Sequence, residues 1–555
     1  VNQLDGFAML QENNSIWLGD DPSSTTDTAS YNVAVGISAL DAITTSDYNV
    51  AVGYEALTAL TTGDQNTGVG PWTSVALTTG SRNTIVGNSA FADATTANDN
   101  SGLGSEAFRF LTTGADNVAI GAKALRITTT ASSNTAVGKS ALEVTTTGAN
   151  NVAVGAYAGD ANTTGGNNVA IGYDALTANT TAASNVAVGY QALDANTTGT
   201  PNVAVGQSAL GNNTTGNQNT AVGGGGTLFN NTTGYDNTGV GYRAGLSTTT
   251  GARNTFIGRD AGYSNTTASY NVAMGTYTFD ANTTGANNTA VGDGAMTENT
   301  TGVQNTAVGS SAMNSCTTGS NNIAVGDGAL RLNTTGATNV AVGRQALDAN
   351  TTADRNVAVG HTVLNANTTG ASNAAVGMTA MLLNTTGSQN AAFGNSSLYN
   401  NTTASYITAY GGSSLYGNTT GAANTALGYY TLFSNTTGGN NVAVGNNALD
   451  ANTTAWSNTA VGYNSLGANT TAQNNTAVGD NAMALTTTGG SNVAVGQGAL
   501  DANTTSSGGV AVGSGAATAF TTGANVTAVG YNALMSNTTS GYNTAVGYQA
   551  ADAIT

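Results

Sequence analysis

The sequence predicts an all-β chain wound as a parallel β-solenoid, with one coil per short repeat. Three observations carry this. A glycine recurs at every seventeenth position, at Gly19, Gly36, Gly53 and on to Gly223, and after one longer step by a single residue from Gly241 to Gly547. Apolar residues hold fixed places around it, as in Asn185-Val186-Ala187-Val188-Gly189-Tyr190-Gln191-Ala192-Leu193. A polar Asn-Thr-Thr-Gly or Asn-Thr-Thr-Ala phrase then closes most repeats. So strict a period means one small unit stacked on copies of itself. It overrides the several domains that 555 residues would otherwise suggest.

Residues 1–28 are assigned to a lead-in and capping coil, and 29–555 to a solenoid of about 31 repeats. In Ser15-Ile16-Trp17-Leu18-Gly19 the register is kept, but Trp17 stands where Ala is usual. A bulky, atypical terminal coil suits a cap, and Phe7, Met9 and Leu10 are expected to extend it. The last phrase, Thr544-Ala545-Val546-Gly547, has no capping character, so the fibre is expected to continue past Thr555.

Within a coil, the residue before the glycine is Val or Ile in 26 of the 31 repeats from Gly36 onward, and the one before that is Ala in 26. Alternation sends Val188 and Ala187 to opposite faces of a strand, which predicts a strand covered on both sides. The Ala face is expected to need a partner chain, since each coil has little apolar surface to offset the entropy of ordering its whole backbone. Ala and Leu three and four places after the glycine, as in Ala192-Leu193, predict a second short strand. Between the strands the glycine either turns the backbone or lets another backbone come close. Asn-Thr-Thr forms a polar turn. The extra residue among Gly223–Gly226 is read as an enlarged corner, with a hinge as the alternative.

Asn185 represents a position that is Asn in 28 of the 31 repeats. Stacked coils bring equivalent residues about 4.8 Å apart, so these amides can bond in a ladder. A turn residue tolerant of left-handed backbone is the other reading.

Composition removes several function classes. A net charge of −18, from 29 acidic and 11 basic residues, speaks against nucleic acid as a partner. No apolar run is long enough to span a bilayer. The single cysteine, Cys316, excludes an intrachain disulfide, and the single histidine, His361, leaves no material for a thiol–imidazole or zinc site. Asp recurs five places after the glycine, but Glu143 and Asp160 are the one acidic pair there in neighbouring coils. No catalytic, metal or cofactor site is expected, and an enzyme is not. Tyr173 with Tyr190, and Tyr531 with Tyr548, occupy neighbouring coils and form either ring ladders or candidate glycan contacts. Asn-Thr-Thr at Asn162, Asn179 and Asn196 also matches the N-glycosylation acceptor pattern.

The phrase Asn-Thr-Ala-Val-Gly-Tyr-x-Ala-Leu, nearly intact at 458–466 and in part at 543–550, resembles the YadA-like head repeat of trimeric autotransporter adhesins. It looks closer still to the longer repeats of bacteriophage tail fibres, marine ones especially. The resemblance spans about 15–555. It implies a left-handed β-roll assembled as a homotrimer on the cell or virion surface. Two features depart from it: the repeat is a few residues longer, and neither a coiled-coil stalk nor a barrel anchor is seen. The expectation is the structural shaft or head of an extracellular attachment fibre, with a host or cell-surface glycan or receptor as partner. A phage tail fibre is favoured, and the head of an adhesin that binds surfaces directly is the alternative.

Overall fold

The computed structural model describes residues 2–4, 7–19 and 28–554, with side chains from residue 10 onward. Residues 20–27, inside the segment assigned to the cap, and the side chains of Phe7 and Met9 lie outside it. Among the described residues there is no helix, and the chain is a parallel β-solenoid of about 31 turns. It divides into two compact units, Val1–Thr284 and Gly285–Thr555.

The first unit opens with β1 (Asn2–Leu4) and β2 (Phe7–Glu12), which pair antiparallel. A two-residue turn, Asn13-Asn14, with both residues at positive φ (46° and 58°), folds β2 onto β3 (Ser15–Gly19). That is the hairpin turn whose twist matches its strands, and Asn tolerates the left-handed backbone it needs. β3 then pairs in parallel with β4 (Val33–Gly36), setting Trp17 against Ala34. Trp17 is buried, so the bulky residue fills the first coil from inside.

From Val50–Val52 to Val272–Met274, each coil of this unit contributes one three-residue strand ending just before the ruler glycine. Strands pair in exact repeat register, as in Val186↔Val203, Ala187↔Ala204 and Val188↔Val205. The second unit repeats the arrangement from Thr289–Val291 to Thr544–Val546.

The expected second strand is not there. Its place is taken by successive turns with Gln191 (φ 52°) and Leu193 (φ 53°) in the left-handed region. Gly189 opens a type II turn closed by the Ala192 amide on its carbonyl at 3.3 Å. The reason lies in the two neighbours Ala192 and Leu193, which are both fully buried. A flat strand would send one of them outward, whereas turns point both in. The backbone still bonds coil to coil here: the Leu193 amide donates to the Ala209 carbonyl at 3.0 Å, and that of Gln191 to Tyr173 at 3.0 Å.

The strand's faces are also the reverse of expectation. Ala187 points inward and is fully buried against the coil's own core, while Val186 and Val188 are half-exposed on the outer face. So short a coil is too narrow for Leu193 and a second large side chain at every level, so the inward strand position stays small. Exceptions bear out the volume constraint. Phe256 takes the inward position, and Gly245 and Gly262 replace the Leu of both adjoining levels; an added Cβ at either would lie within 2.6 Å of the Phe256 ring. Ile85 is likewise flanked by Gly68 and Gly102 at the same inward position.

At the one lengthened step the extra residue sits in the Gly223–Gly226 corner, where Gly225 and Gly226 have φ of 69° and 84°. Register resumes at once, with Thr220↔Thr238 and Val222↔Val240.

Candidate functional site

The most regular polar feature is a buried amide ladder. The Asn185 amide N–H donates to Oδ1 of Asn168 at 2.9 Å, and Asn185 Oδ1 accepts from the Asn202 amide at 2.8 Å. Its Nδ2 donates to the Gly199 carbonyl at 3.1 Å. Asn185 is fully buried, so each of these bonds satisfies a group that would otherwise be stranded away from water.

A second ladder was not read from the sequence. The Asn of Asn-Thr-Thr is also buried: Asn213 Nδ2 donates to Asn196 Oδ1 at 2.8 Å and to the Gly216 carbonyl at 3.0 Å. In early coils the same place holds Ile43, Leu60, Leu77 and Leu111, all buried. The exchange of Leu for Asn at one repeat position was the available signal, because a solvent-facing turn has no use for Leu. This burial removes Asn162, Asn179 and Asn196 from the accessible surface, so the folded coils do not present them as glycan acceptors. Cys316 fills the same core position. Its thiol is pushed up to about 11, chiefly by burial, and accepts from Asn333 Nδ2 at 3.8 Å. It is an unreactive core side chain.

The ruler glycines are points of backbone contact. Gly189 has a φ of 137°, and a Cβ there would lie 2.6 Å from the Gly206 carbonyl oxygen. Gly19 and Gly36 have equivalent φ values and approaches, whereas Gly547, at φ 134°, meets only the Ala550 side chain at 3.7 Å.

Glu143 and Asp160 sit in different surroundings. Glu143 is bonded to Arg126 at 2.8 Å. The Asp160 carboxyl rises to about 6, first from burial and then from the charges of Asp174 and Glu143. Burial likewise raises Asp194, Asp280, Asp450 and Asp501 above the usual carboxylate range. His361 is exposed; its ring meets the Thr362 hydroxyl at 3.2 Å, and its carbonyl accepts from the Thr379 amide at 3.0 Å. Among the described residues no group of three His, Cys, Asp or Glu side chains is placed to hold a metal. No helix there is long and apolar enough to cross a membrane.

The four tyrosines singled out above stack in pairs: Tyr173 and Tyr190 have centroids 5.7 Å apart and 10° between planes, and Tyr531 and Tyr548 5.4 Å and 13°. Each ring thus spends one face on its neighbour. Tyr399, Tyr416 and Phe433 extend the same device over three coils.

One stretch of the first unit departs from this uniformity. Of the seven cation-over-ring contacts among the described residues, five lie between Tyr235 and Tyr277. Arg243 lies 5.0 Å from the Tyr242 and Tyr263 centroids and holds the buried Asp260 through two bonds, at 2.8 and 3.1 Å. Arg259 adds a third bond to Asp260 at 3.3 Å. Arg243, Asp260, Tyr263, Tyr277 and Asp280 line an open cleft of about 240 Å³. A second cleft of about 290 Å³ is lined by Gln207, Ser208, Gly225, Gly226, Phe229 and Leu246.

Comparison with family models and with curated proteins gives no match for this chain.

Proposed function

We propose that the protein is a shaft or head segment of an extracellular attachment fibre, built as a homotrimer and without enzymatic activity. The favoured setting is a phage tail fibre that mediates host-surface attachment; the head of a trimeric autotransporter adhesin is the second. The observation that carries the reading is the coil-to-coil bonding within each unit, in which strand, turn and buried amide all bond to the next repeat. Such a stack resists bending and local opening, as a load-bearing spacer must.

The outer strand face supplies the contact between copies. None of its residues in the 31 repeats is charged, and Leu103, Ile120, Val154 and Ile171 are 38–52% exposed. Within each unit this leaves an uncharged outer face with a row of half-exposed Val, Ile and Leu beside Val or Thr, which suits burial between copies. Sedimentation equilibrium of the purified chain tests the reading, with a trimer expected. A monodisperse monomer refutes the assembly, and failure of the assembled chain to bind any cell surface refutes attachment through these repeats, leaving a passive shaft.

A further inference from the structure

We infer that the coils from Gly206 to Asp280 form a groove that binds a neutral oligosaccharide through Tyr263, Tyr277 and Asp280; this rests on the attachment reading above. The two clefts lie on the same face, between the residues two places and the residues five places after each ruler glycine. They abut in one coil, where Leu246 lines one and Arg243 the other. The Gly223–Gly226 insertion opens the apolar end: Gly225 has no side chain, and a Cβ there would strike Tyr242 at 2.4 Å. Together the clefts reach the roughly 300–1,000 Å³ of ordinary ligand sites. They span five coils, about 20 Å along the stack.

The lining chemistry selects the ligand. Asp280 is partly withdrawn from water, and its carboxylate accepts no hydrogen bond from a described residue, so it is placed to accept from ligand hydroxyls. Tyr263 and Tyr277 each carry a guanidinium over the ring, Arg243 at 5.0 Å and Arg259 at 5.4 Å, so the ring surface they offer to the C–H faces of pyranoses is the side turned from it. Arg243 is held rigid by Asp260 and two rings, which presets its remaining N–H groups. An extended chain of linked pyranoses advances by about one strand spacing per sugar, so each coil faces one sugar. Other ligands fit worse. Arg243 and Arg259 are neutralised by Asp260 and Asp280, which leaves no net field for a polyanion. Backbone groups are spent between coils, so a peptide finds no open edge to extend.

The test uses the whole purified chain on an array of neutral oligosaccharides, followed by calorimetric titration of those retained. Binding to hexose oligomers of four or more sugars is expected. Asp280→Asn and Tyr263→Ala should each weaken it at least tenfold, and Tyr406→Ala, far along the chain and outside both clefts, should not. Melting curves of the variants matched to the parent show that the fold is intact. Retention of no glycan, or of glycans indifferent to both substitutions, overturns the groove, as does preference for peptides. Cell attachment measured in parallel separates the two ideas. Attachment that survives both substitutions removes the groove alone, whereas a parent chain that binds no cells removes the attachment reading.

Discussion

Replacing Gly189 by Ala tests whether the ruler is a contact between backbones or only a flexible joint. The backbone φ of 137° is open to glycine and strained for any other residue, at about 1–3 kcal/mol. The added Cβ would also lie 2.6 Å from the Gly206 oxygen and 2.7 Å from its carbon. Those are backbone atoms held in a ladder, so relief requires two coils to part, at about 1–3 kcal/mol more. The expected loss is therefore about 2–6 kcal/mol, confined to the adjoining coils. Two controls separate the contributions. Gly498 has a φ of 61° with nothing within 4 Å of its Cβ position, so Gly498→Ala carries strain alone, about 1–2 kcal/mol. At Gly224 a Cβ also meets nothing, and φ lies outside the strained range, so Gly224→Ala should be neutral or slightly stabilising. Because each repeat contacts only its neighbours, the loss is local, and amide hydrogen exchange is a better assay than a global melt. Exchange near Gly189 and Gly206 should quicken by roughly thirtyfold or more. Equal protection in Gly189→Ala and Gly224→Ala would refute the close-contact account.

Two further predictions concern buried polar groups. Asn185→Ala strands the Asn202 amide and the Gly199 carbonyl, bonded at 2.8 and 3.1 Å, at about 1–3 kcal/mol each; urea unfolding followed by exchange at the Asn202 amide reads the loss. Asp160 titrates near 6 in the folded chain, above its ordinary 3.8, because burial disfavours the anion. The folded state therefore holds this proton more tightly, and the stabilisation is full below about 3.8 and lost as pH rises through 6. Exchange protection of coils around Asp160, corrected for the intrinsic pH dependence of exchange, should fall across that window, and Asp160→Asn should flatten the dependence.

The period, the strand before Gly189 and the place of Asn185 were legible because each depends on a residue type repeated at one spacing. Ala192 and Leu193 each suit a strand when read singly, which is why the sequence predicts a second one. Two adjacent buried residues break strand alternation, and that signal stood in the sequence. Departures from the repeat are harder to read. Phe256 with Gly245 and Gly262, and Arg243 with Asp260 and Tyr263, look like scattered substitutions until coils are stacked. Once they are, residues one repeat apart become neighbours and the substitutions compensate or bind one another.

By itself, then, the regular glycine spacing determined that the chain is a stack of like coils, because only stacking gives a repeat this short a shared interior. Which way each side chain points was decided by tertiary structure. A coil has to close within a single repeat, and closure puts Ala187 and Leu193 inside, leaves Val188 outside, and buries an Asn-Thr-Thr amide that looks like surface. The groove between Gly206 and Asp280 is likewise a product of stacking, since no single repeat contains it.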